Sequence, residues 1–193
     1  MNRNELRAAL RKKRQSLEPI EQQTAKSALA TIIYALPEFQ QSRHIAAYLA
    51  NDGEIDPADV VQEAWSLGKC CYLPVLDTQD TTNMFFVKYG PETPLVQNRY
   101  GIYEPALNKA DICMPENLDL VLMPLTGFDE MGGRLGMGGG YYDRAFAFIK
   151  EKGLSKPALI GLAHECQKVT RIPVESWDIP MAGIATDTRY YQS

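Results

Sequence analysis

The pattern of hydrophobic and polar positions at the start of the chain is typical of amphipathic helices. Leu6, Leu10 and Leu17 fall on one stripe of segment 4–16, with charged residues around them, and Asn4 is placed to cap its N-terminus. Proline and glycine residues delimit the further helices. The predicted helices cover 4–16, about 19–35, the segment from the Asp56-Pro57 cap to Gly68, and 141–153.

Apolar runs between these helices predict strands over 44–50, 69–76, 83–89, 118–125, 158–164 and 183–191. The run LDLVLMPL at 118–125 is apolar almost throughout, which is typical of a strand buried on both faces of a parallel sheet. Segment 90–117 has no clear period. Because strands and helices alternate, we predict an α/β fold with a mostly parallel sheet, helices on both faces, and a single domain over 1–193.

Composition narrows the classes of protein that fit this pattern. The net charge of −4 gives no reason to expect nucleic acid as the main partner, and the longest apolar runs are too short to cross a membrane. The charged N-terminal segment lacks the apolar core of a signal peptide, so we expect a cytoplasmic protein. There are four cysteines, no C-x-x-C pair and two histidines, which favours reduced buried thiols over a zinc site.

The stretch GGRLGMGGGYYDR, at 132–144, holds six of the fourteen glycines in the chain. Such clustering is entropically costly unless the backbone needs unusual dihedral angles or close approach to another group. The run lies between a predicted strand and a predicted helix, where open α/β sheets bind ligands, and its backbone amides could hold phosphate. A tight structural turn is the alternative. The sequence is not a P-loop, because G-x-x-x-x-G-K-[ST] does not occur.

Charged residues around the glycine run allow two interpretations. Asp143 could hold Mg²⁺ against bound phosphates, or it could simply be a carboxylate near a helix start. Arg134 and Arg144 could neutralise phosphate charge. We expect the first helix to pack across the carboxyl edge of the sheet.

A second group of cations lies on that first helix. Arg3, Arg7 and Arg14 fall within about 40° of one another around its axis, beside the leucine stripe. They are predicted to converge on the glycine run and contact phosphates; an ordinary solvated helix face is the alternative.

Four motifs together resemble the 5-formyltetrahydrofolate cyclo-ligase family, also called methenyltetrahydrofolate synthetases. They are GRLGMGGGYYDR, RNELR, YLANDGEID and GIYEP, and the resemblance extends from Arg3 to the ATDTRYY segment. It implies a Rossmann-like fold related to sugar-phosphate isomerases and CoA transferases. It also implies a reaction in which ATP, with Mg²⁺, drives closure of 5-formyltetrahydrofolate to 5,10-methenyltetrahydrofolate, with ADP and phosphate released.

The resemblance also implies roles for individual residues. Arg134, Tyr141 and Asp143 are the expected catalytic residues, and Asp143 and Asp178, in SWDIPM, the expected metal ligands. His164 is expected to be structural, and Met137 and Gly139 stand where some members carry basic residues. The expected ATP-binding residues are Arg3, Arg7, Arg134, Leu135, Gly136, Met137, Gly138, Gly139, Gly140, Tyr141 and Tyr142. The expected folate-binding residues are Leu49, Glu54, Met137, Gly138, Gly139, Gly140 and Tyr141.

Two other functions remain open at this point. One is an ATP-independent sugar-phosphate isomerase or acyl/CoA transferase of similar fold, and the other is a folate-binding protein without turnover. An isomerase would usually need a catalytic carboxylate at a strand end. For the favoured reaction we expect small-molecule substrates only, no nucleic-acid or membrane partner, and a monomer.

Overall fold

The centre of the protein is a twisted sheet whose middle strands are parallel. The structure, a computed structural model, describes residues 2–77, 80, 82–98, 101–173, 175 and 177–193. Tyr100, in the predicted aperiodic segment, and Ser176, which opens the SWDIPM motif, lie outside these residues. The helices are α1 (Arg3–Gln15), α2 (Pro19–Tyr34), α3 (Pro37–Gln41), α4 (Ala58–Ser66), α5 (Tyr141–Ala145) and α6 (Ala147–Lys152). The strands are β1 (His44–Ala46), β2 (Cys70–Leu76), β3 (Met84–Tyr89), β4 (Leu95–Gln97), β5 (Tyr103–Pro105), β6 (Ile112–Cys113), β7 (Leu120–Pro124), β8 (Gly127–Phe128), β9 (Arg134–Leu135), β10 (Ala158–Leu162), β11 (Gly183–Ala185) and β12 (Tyr190–Gln192).

Within the described residues, the main sheet has eight strands in the order β12-β11-β10-β7-β1-β2-β3-β6. Pairing is parallel from β11 through β10, β7 and β1 to β2, and antiparallel at both ends. The mostly parallel α/β sheet predicted from the sequence is therefore confirmed.

Side chains of β7 show how the sheet is covered on both faces. Leu120 and Leu122 pack in a core with α2, α3 and α4, whereas Val121 and Met123 point into a second core that holds Phe146 from the α5–α6 junction. Alternation of this kind is the period of a strand, and full burial of one such side chain is worth about 1.5–3 kcal/mol. The predicted helices on both faces are confirmed.

Helix α1 begins slightly earlier than predicted. Asn2, not Asn4, is the cap: its side chain accepts hydrogen bonds from the backbone N–H groups of Asn4 and Glu5, and Glu5 accepts one back from the Asn2 N–H. This reciprocal box satisfies N–H groups that a helix start leaves unpaired. The Asn4 side chain is thereby free to accept a hydrogen bond from Arg7.

Two other predicted elements are divided in the structure. The strand predicted over 183–191 is the hairpin of β11 and β12, because the Thr186 hydroxyl accepts from the N–H groups of Thr188 and Arg189 and turns the chain. The helix predicted over 141–153 breaks at Phe146, which leaves helical geometry and is fully buried against Phe86.

Helix α1 lies across the carboxyl edge of the parallel strands, as predicted. Leu10 is buried with Leu135 and Ile172, and Leu6 packs beside them. The approach is close: a Cβ atom on Gly127 would lie 2.4 Å from Leu10 Cδ1, so only glycine fits there without movement. This packing forms one wall over the sheet edge.

The four cysteines are free thiols. Cys71 packs in the core beneath α2 and α4 and Cys70 against the opposite core, as a strand requires. Burial raises the pKa of the Cys71 thiol to about 12, which favours an inert thiol. In the part of the chain that the structure describes, no helix is long and apolar enough to span a bilayer.

Candidate functional site

A cleft of about 1150 Å³ lies at the carboxyl edge of the parallel strands. Its walls come from α1, the segment after β1, the glycine run and α5, so residues far apart in the sequence face one space. The residues predicted for the site that line it are Arg3, Arg7, Leu49, Glu54, Arg134, Gly136, Met137, Gly138, Gly139, Gly140, Tyr141, Tyr142, Asp143 and Asp178. Large clefts at this edge are where α/β sheets commonly bind ligands.

The glycine loop, defined here as residues 136–140, has the backbone that its composition predicts. Gly138 and Gly140 have φ angles of 101° and 66°, in the left-handed region that favours glycine. Gly140 is the N-cap of α5. A Cβ atom on Gly139 would lie 2.8 Å from the ring of Tyr141, so a larger residue at that position would require the ring to move. The loop is therefore both unusually curved and closely approached.

Two arginines from the start of α1 line the cleft. Arg7 donates from Nε to the carbonyl oxygen of Gly136 at 2.9 Å. Arg3 donates to the Pro173 carbonyl at 3.0 Å and makes an ion pair with Glu175 at 3.5 Å. Burial and the positive charge of Arg3 lower the pKa of Arg7. Two guanidinium groups thus lie on this side of the cleft, one of them paired with Glu175.

Arg134 and Asp143 form an ion pair within the cleft wall. Arg134 Nη2 donates to Asp143 Oδ1 at 2.7 Å, and Nη1 donates to the carbonyl oxygen of Ile179. The Arg134 side chain is nearly buried, whereas 29% of the Asp143 side chain is exposed. The carboxylate is therefore fixed by the arginine but still open to the cleft.

The opposite side of the cleft is formed by the segment that follows β1. Glu54 has only 10% of its side chain exposed and accepts a hydrogen bond from the Asn51 N–H at 3.2 Å. Burial raises the pKa of Glu54, and the nearby Arg14 opposes that rise. Leu49 and Tyr142 line the same region, and burial and the charge of Glu54 raise the pKa of Tyr142. A carboxyl group, an apolar side chain and a tyrosine ring thus line the same cleft.

Arg14 reaches Met137 of the glycine loop at 3.9 Å but does not line the cleft, so its predicted contact with phosphates is wrong. Its side chain is fully buried and makes ion pairs with Asp52 at 3.0 Å and Glu54 at 3.5 Å. Arg7 and Arg14 share a face of α1, but they are about two turns apart, and the turn at Asp52 is packed against the second of them.

The Leu135 side chain is buried beneath α1 and does not line the cleft. Asp178 lines the cleft, but one of its oxygens accepts the Glu175 N–H at 2.9 Å. Among the described residues, no group of three His, Cys, Asp or Glu side chains is arranged to hold a metal ion. Arg144 donates to the Thr82 carbonyl and lies 5.0 Å from the centre of the Tyr141 ring.

Sequence reasoning missed several residues of the cleft. Glu104 is buried in its wall and accepts a hydrogen bond from Asn98 at 2.9 Å; its presence in the GIYEP motif was the available signal. Tyr103 and Trp177 are exposed aromatic residues at the cleft, and the GIYEP and SWDIPM motifs that contain them were the available signal. Arg11 reaches the cleft as well, paired with Asp52 at 2.7 Å.

His164 lies outside the cleft, as expected of a structural residue. It is buried, burial lowers its pKa, and its Nε2 atom has no hydrogen-bond partner among the described residues. Its backbone N–H donates to Gln167, which in turn donates to the carbonyl oxygens of Leu125 and Thr126. These contacts fix the segment between β7 and the glycine loop.

Comparisons with known proteins show the family of the chain. Residues 1–187 match the model of the 5-formyltetrahydrofolate cyclo-ligase family. Proteins named 5-formyltetrahydrofolate cyclo-ligase from Escherichia coli K12 and Haemophilus influenzae are each 38% identical, over 95% and 94% of this chain and 99% and 96% of their own. The solved structure of 5,10-methenyltetrahydrofolate synthetase from Aquifex aeolicus has a TM-score of 0.82 and 29% identity, covering 100% of this chain and 93% of that one. The chain therefore belongs to the 5-formyltetrahydrofolate cyclo-ligase family.

Proposed function

We propose that the protein closes 5-formyltetrahydrofolate to 5,10-methenyltetrahydrofolate, using ATP and Mg²⁺ and releasing ADP and phosphate. Family membership supports the reaction, since the matched relatives are named for it. The observation that carries the proposal is that one cleft joins an arginine-flanked glycine loop to the buried carboxylate of Glu54. This membership favours the cyclo-ligase over the isomerase and transferase alternatives.

The proposed chemistry starts from the low reactivity of an N5-formyl group, which is an amide. The γ-phosphoryl group of ATP transfers to the formyl oxygen, and ADP leaves. N10 then attacks the formyl carbon and loses its proton, and the carbon–oxygen bond breaks as phosphate departs with the former formyl oxygen. Phosphoryl transfer of this kind depends on positioning and charge stabilisation, and it requires no nucleophilic side chain.

The glycine loop and its arginines are suited to the triphosphate. Gly138 and Gly140 let the backbone approach phosphate oxygens closely, and Arg3, Arg7 and Arg134 supply positive charge. The proposed ATP contacts run from Arg3 to Arg7 and from Arg134 to Tyr142, and Leu135 could contribute only through its backbone.

The donor set fits a magnesium ion shared with the phosphates. Mg²⁺ commonly takes one or two carboxylates and completes its coordination with phosphate oxygens and water, so a three-residue protein cluster is not needed. Asp143 is partly exposed in the cleft and would be its main ligand, and Asp178 would be a second. Bound there, the ion would neutralise charge on the transferring phosphoryl group.

The folate would lie against Glu54 and Leu49, with the loop from Met137 to Tyr141 between it and the ATP. An ionised Glu54 could accept two hydrogen bonds from the amino-pyrimidine edge of the pteridine, and the ring could pack on apolar and aromatic side chains. We further propose that the protein acts as a monomer in the cytoplasm, on these small molecules alone.

A spectrophotometric assay tests the proposal. With ATP, Mg²⁺ and 5-formyltetrahydrofolate, the conjugated absorbance of the methenyl product should appear, with one ADP per product, and it should stop when magnesium is chelated. Formation of product at full rate without ATP would favour an ATP-independent enzyme. Folate binding without product under any of these conditions would favour a binding protein.

A further inference from the structure

The Arg14 guanidinium at the end of α1 is fully buried yet surrounded by acceptors. Its Nε donates to the backbone carbonyl of Asp52 at 2.9 Å, and its Nη2 lies 3.0 Å from the Asp52 carboxylate and 3.5 Å from that of Glu54. The Met137 sulfur of the glycine loop is 3.9 Å from the same Nη2. One side chain therefore touches both sides of the proposed site.

The turn that carries these carboxylates is pressed against α1. Asp52 has a φ angle of 55°, in the left-handed region that residues with a side chain rarely adopt, and Gly53 has a φ angle of 73°. A Cβ atom on Gly53 would lie 3.0 Å from the Arg14 carbonyl oxygen. Such a backbone persists only where its surroundings hold it, and here Arg14, Arg11 and Gln15 all bind Asp52.

We propose that Arg14 is a positioning residue that fixes Glu54 for the pteridine ring without contacting substrate itself. The role rests on the proposed function, because it presumes that Glu54 binds folate. Arg3 and Arg7 line the cleft from the start of the same helix, and Arg7 binds the glycine loop. Helix α1 thus joins the ATP side of the cleft to the folate side as one rigid element.

Charge gives Arg14 a second effect on the same carboxylate. A glutamate buried as deeply as Glu54 tends to hold its proton, since ionisation away from water is costly. The Arg14 charge lowers that cost and favours the ionised form that can accept two hydrogen bonds. Removing Arg14 would both loosen Glu54 and favour its protonation.

A double-mutant cycle tests the proposal, with Arg14→Met, Glu54→Gln and the double variant. Arg14→Met should raise the KM for 5-formyltetrahydrofolate by roughly ten- to a hundredfold, the usual effect of losing a charged hydrogen bond. The KM for ATP should change little. Because Arg14 acts through Glu54, the double variant should be no worse than Glu54→Gln alone. Lys12→Ala, on the exposed face of α1, is the matched control and should leave both constants unchanged.

Thermal unfolding of each variant separates positioning from loss of fold. If Arg14→Met does not fold, Arg14→Lys, which keeps the charge but not the paired donors, should give a smaller rise in the KM for folate alone. Additive effects in the cycle, or equal increases in the KM for folate and for ATP, would overturn the positioning role and leave the proposed function standing. Absence of product from the wild-type protein would overturn both.

Discussion

Arg134 holds the Asp143 carboxylate at 2.7 Å while leaving it open to the cleft. The pair joins β9 to the first turn of α5, on either side of the glycine loop. The arginine is also bound to the Ile179 carbonyl, which gives its guanidinium a second anchor. Asp143 is therefore pre-oriented toward the space in which we propose that the phosphates and Mg²⁺ bind.

Asp143→Asn should reduce kcat by orders of magnitude while the protein stays folded. Loss of the negative charge weakens magnesium binding and the stabilisation of the transferring group, whereas the amide can still accept a hydrogen bond from Arg134. Turnover at varied magnesium concentration and thermal unfolding measure the two effects. Near-normal turnover with unchanged magnesium dependence would make Asp143 an ordinary carboxylate at a helix start.

Arg7→Ala should raise the KM for ATP by roughly ten- to a hundredfold, because a charged contact to phosphate is typically worth about 1.5–3 kcal/mol. Binding of 5-formyltetrahydrofolate alone, measured by calorimetry, should change little. Lys12→Ala on the exposed face of the same helix is the control. Equal and negligible effects of the two substitutions would show that Arg7 is an ordinary surface residue.

Gly138→Ala should disturb the glycine loop through its backbone rather than through a clash. At a φ angle of 101° an alanine is strained by about 1–3 kcal/mol, although its Cβ atom would meet Arg7 only at 3.5 Å. We expect a lower free energy of unfolding and a higher KM for ATP. Gly136→Ala, where a Cβ atom would meet nothing within 4 Å, should leave the free energy of unfolding nearly unchanged. Equal stability of the two variants would contradict the requirement for glycine at position 138.

Folate binding should depend on pH through Glu54. Burial raises its pKa above the usual value, so binding to the ionised carboxylate should weaken as the pH falls through that raised pKa. The free energy of unfolding should change in the opposite direction: the folded state holds the proton more tightly, and stability declines as pH rises from the unfolded to the folded pKa. The charged and titratable groups around Glu54 are Arg11, Arg14, Asp52, Tyr48 and Tyr142.

Calorimetry of folate binding from acid to neutral pH measures this dependence. Glu54→Gln is the control, since it removes the carboxylate and leaves the titration of the ligand and of the other groups. The difference in folate affinity between the wild type and Glu54→Gln should disappear as the pH is lowered, at a pH above that expected for an exposed glutamate. Identical curves would show that ionised Glu54 does not bind the folate.

Much of the central fold could be predicted because single segments encode it. The apolar run at 118–125 needs no partner to indicate a strand buried on both faces, and β7 lies within it. The sequence pattern predicts one strand over 183–191 where the structure has a hairpin, because the Thr186 turn depends on hydroxyl hydrogen bonds that apolar patterning does not encode. The break at Phe146 likewise depends on tertiary packing of that ring.

Features of the candidate site were predictable from the sequence where they depend on the residues of a single motif. Glycine clustering predicted unusual backbone angles somewhere in the run, and Gly138 and Gly140 have positive φ angles. Arg7 and Arg14 could not be told apart, since a helical angle gives the face of a residue but not what lies opposite each turn. What lies opposite Arg14 is the turn at Asp52, nearly 40 residues away from it in the sequence.

Oxygen tracing tests the central claim, that the γ-phosphoryl group of ATP is transferred to the formyl oxygen. The substrate would be 5-formyltetrahydrofolate labelled with ¹⁸O in its formyl group, and the released phosphate would be analysed by mass spectrometry after turnover in unlabelled water. The account predicts that one ¹⁸O atom appears in the phosphate for each methenyl product formed. Unlabelled phosphate, with the ¹⁸O recovered in water, would contradict it.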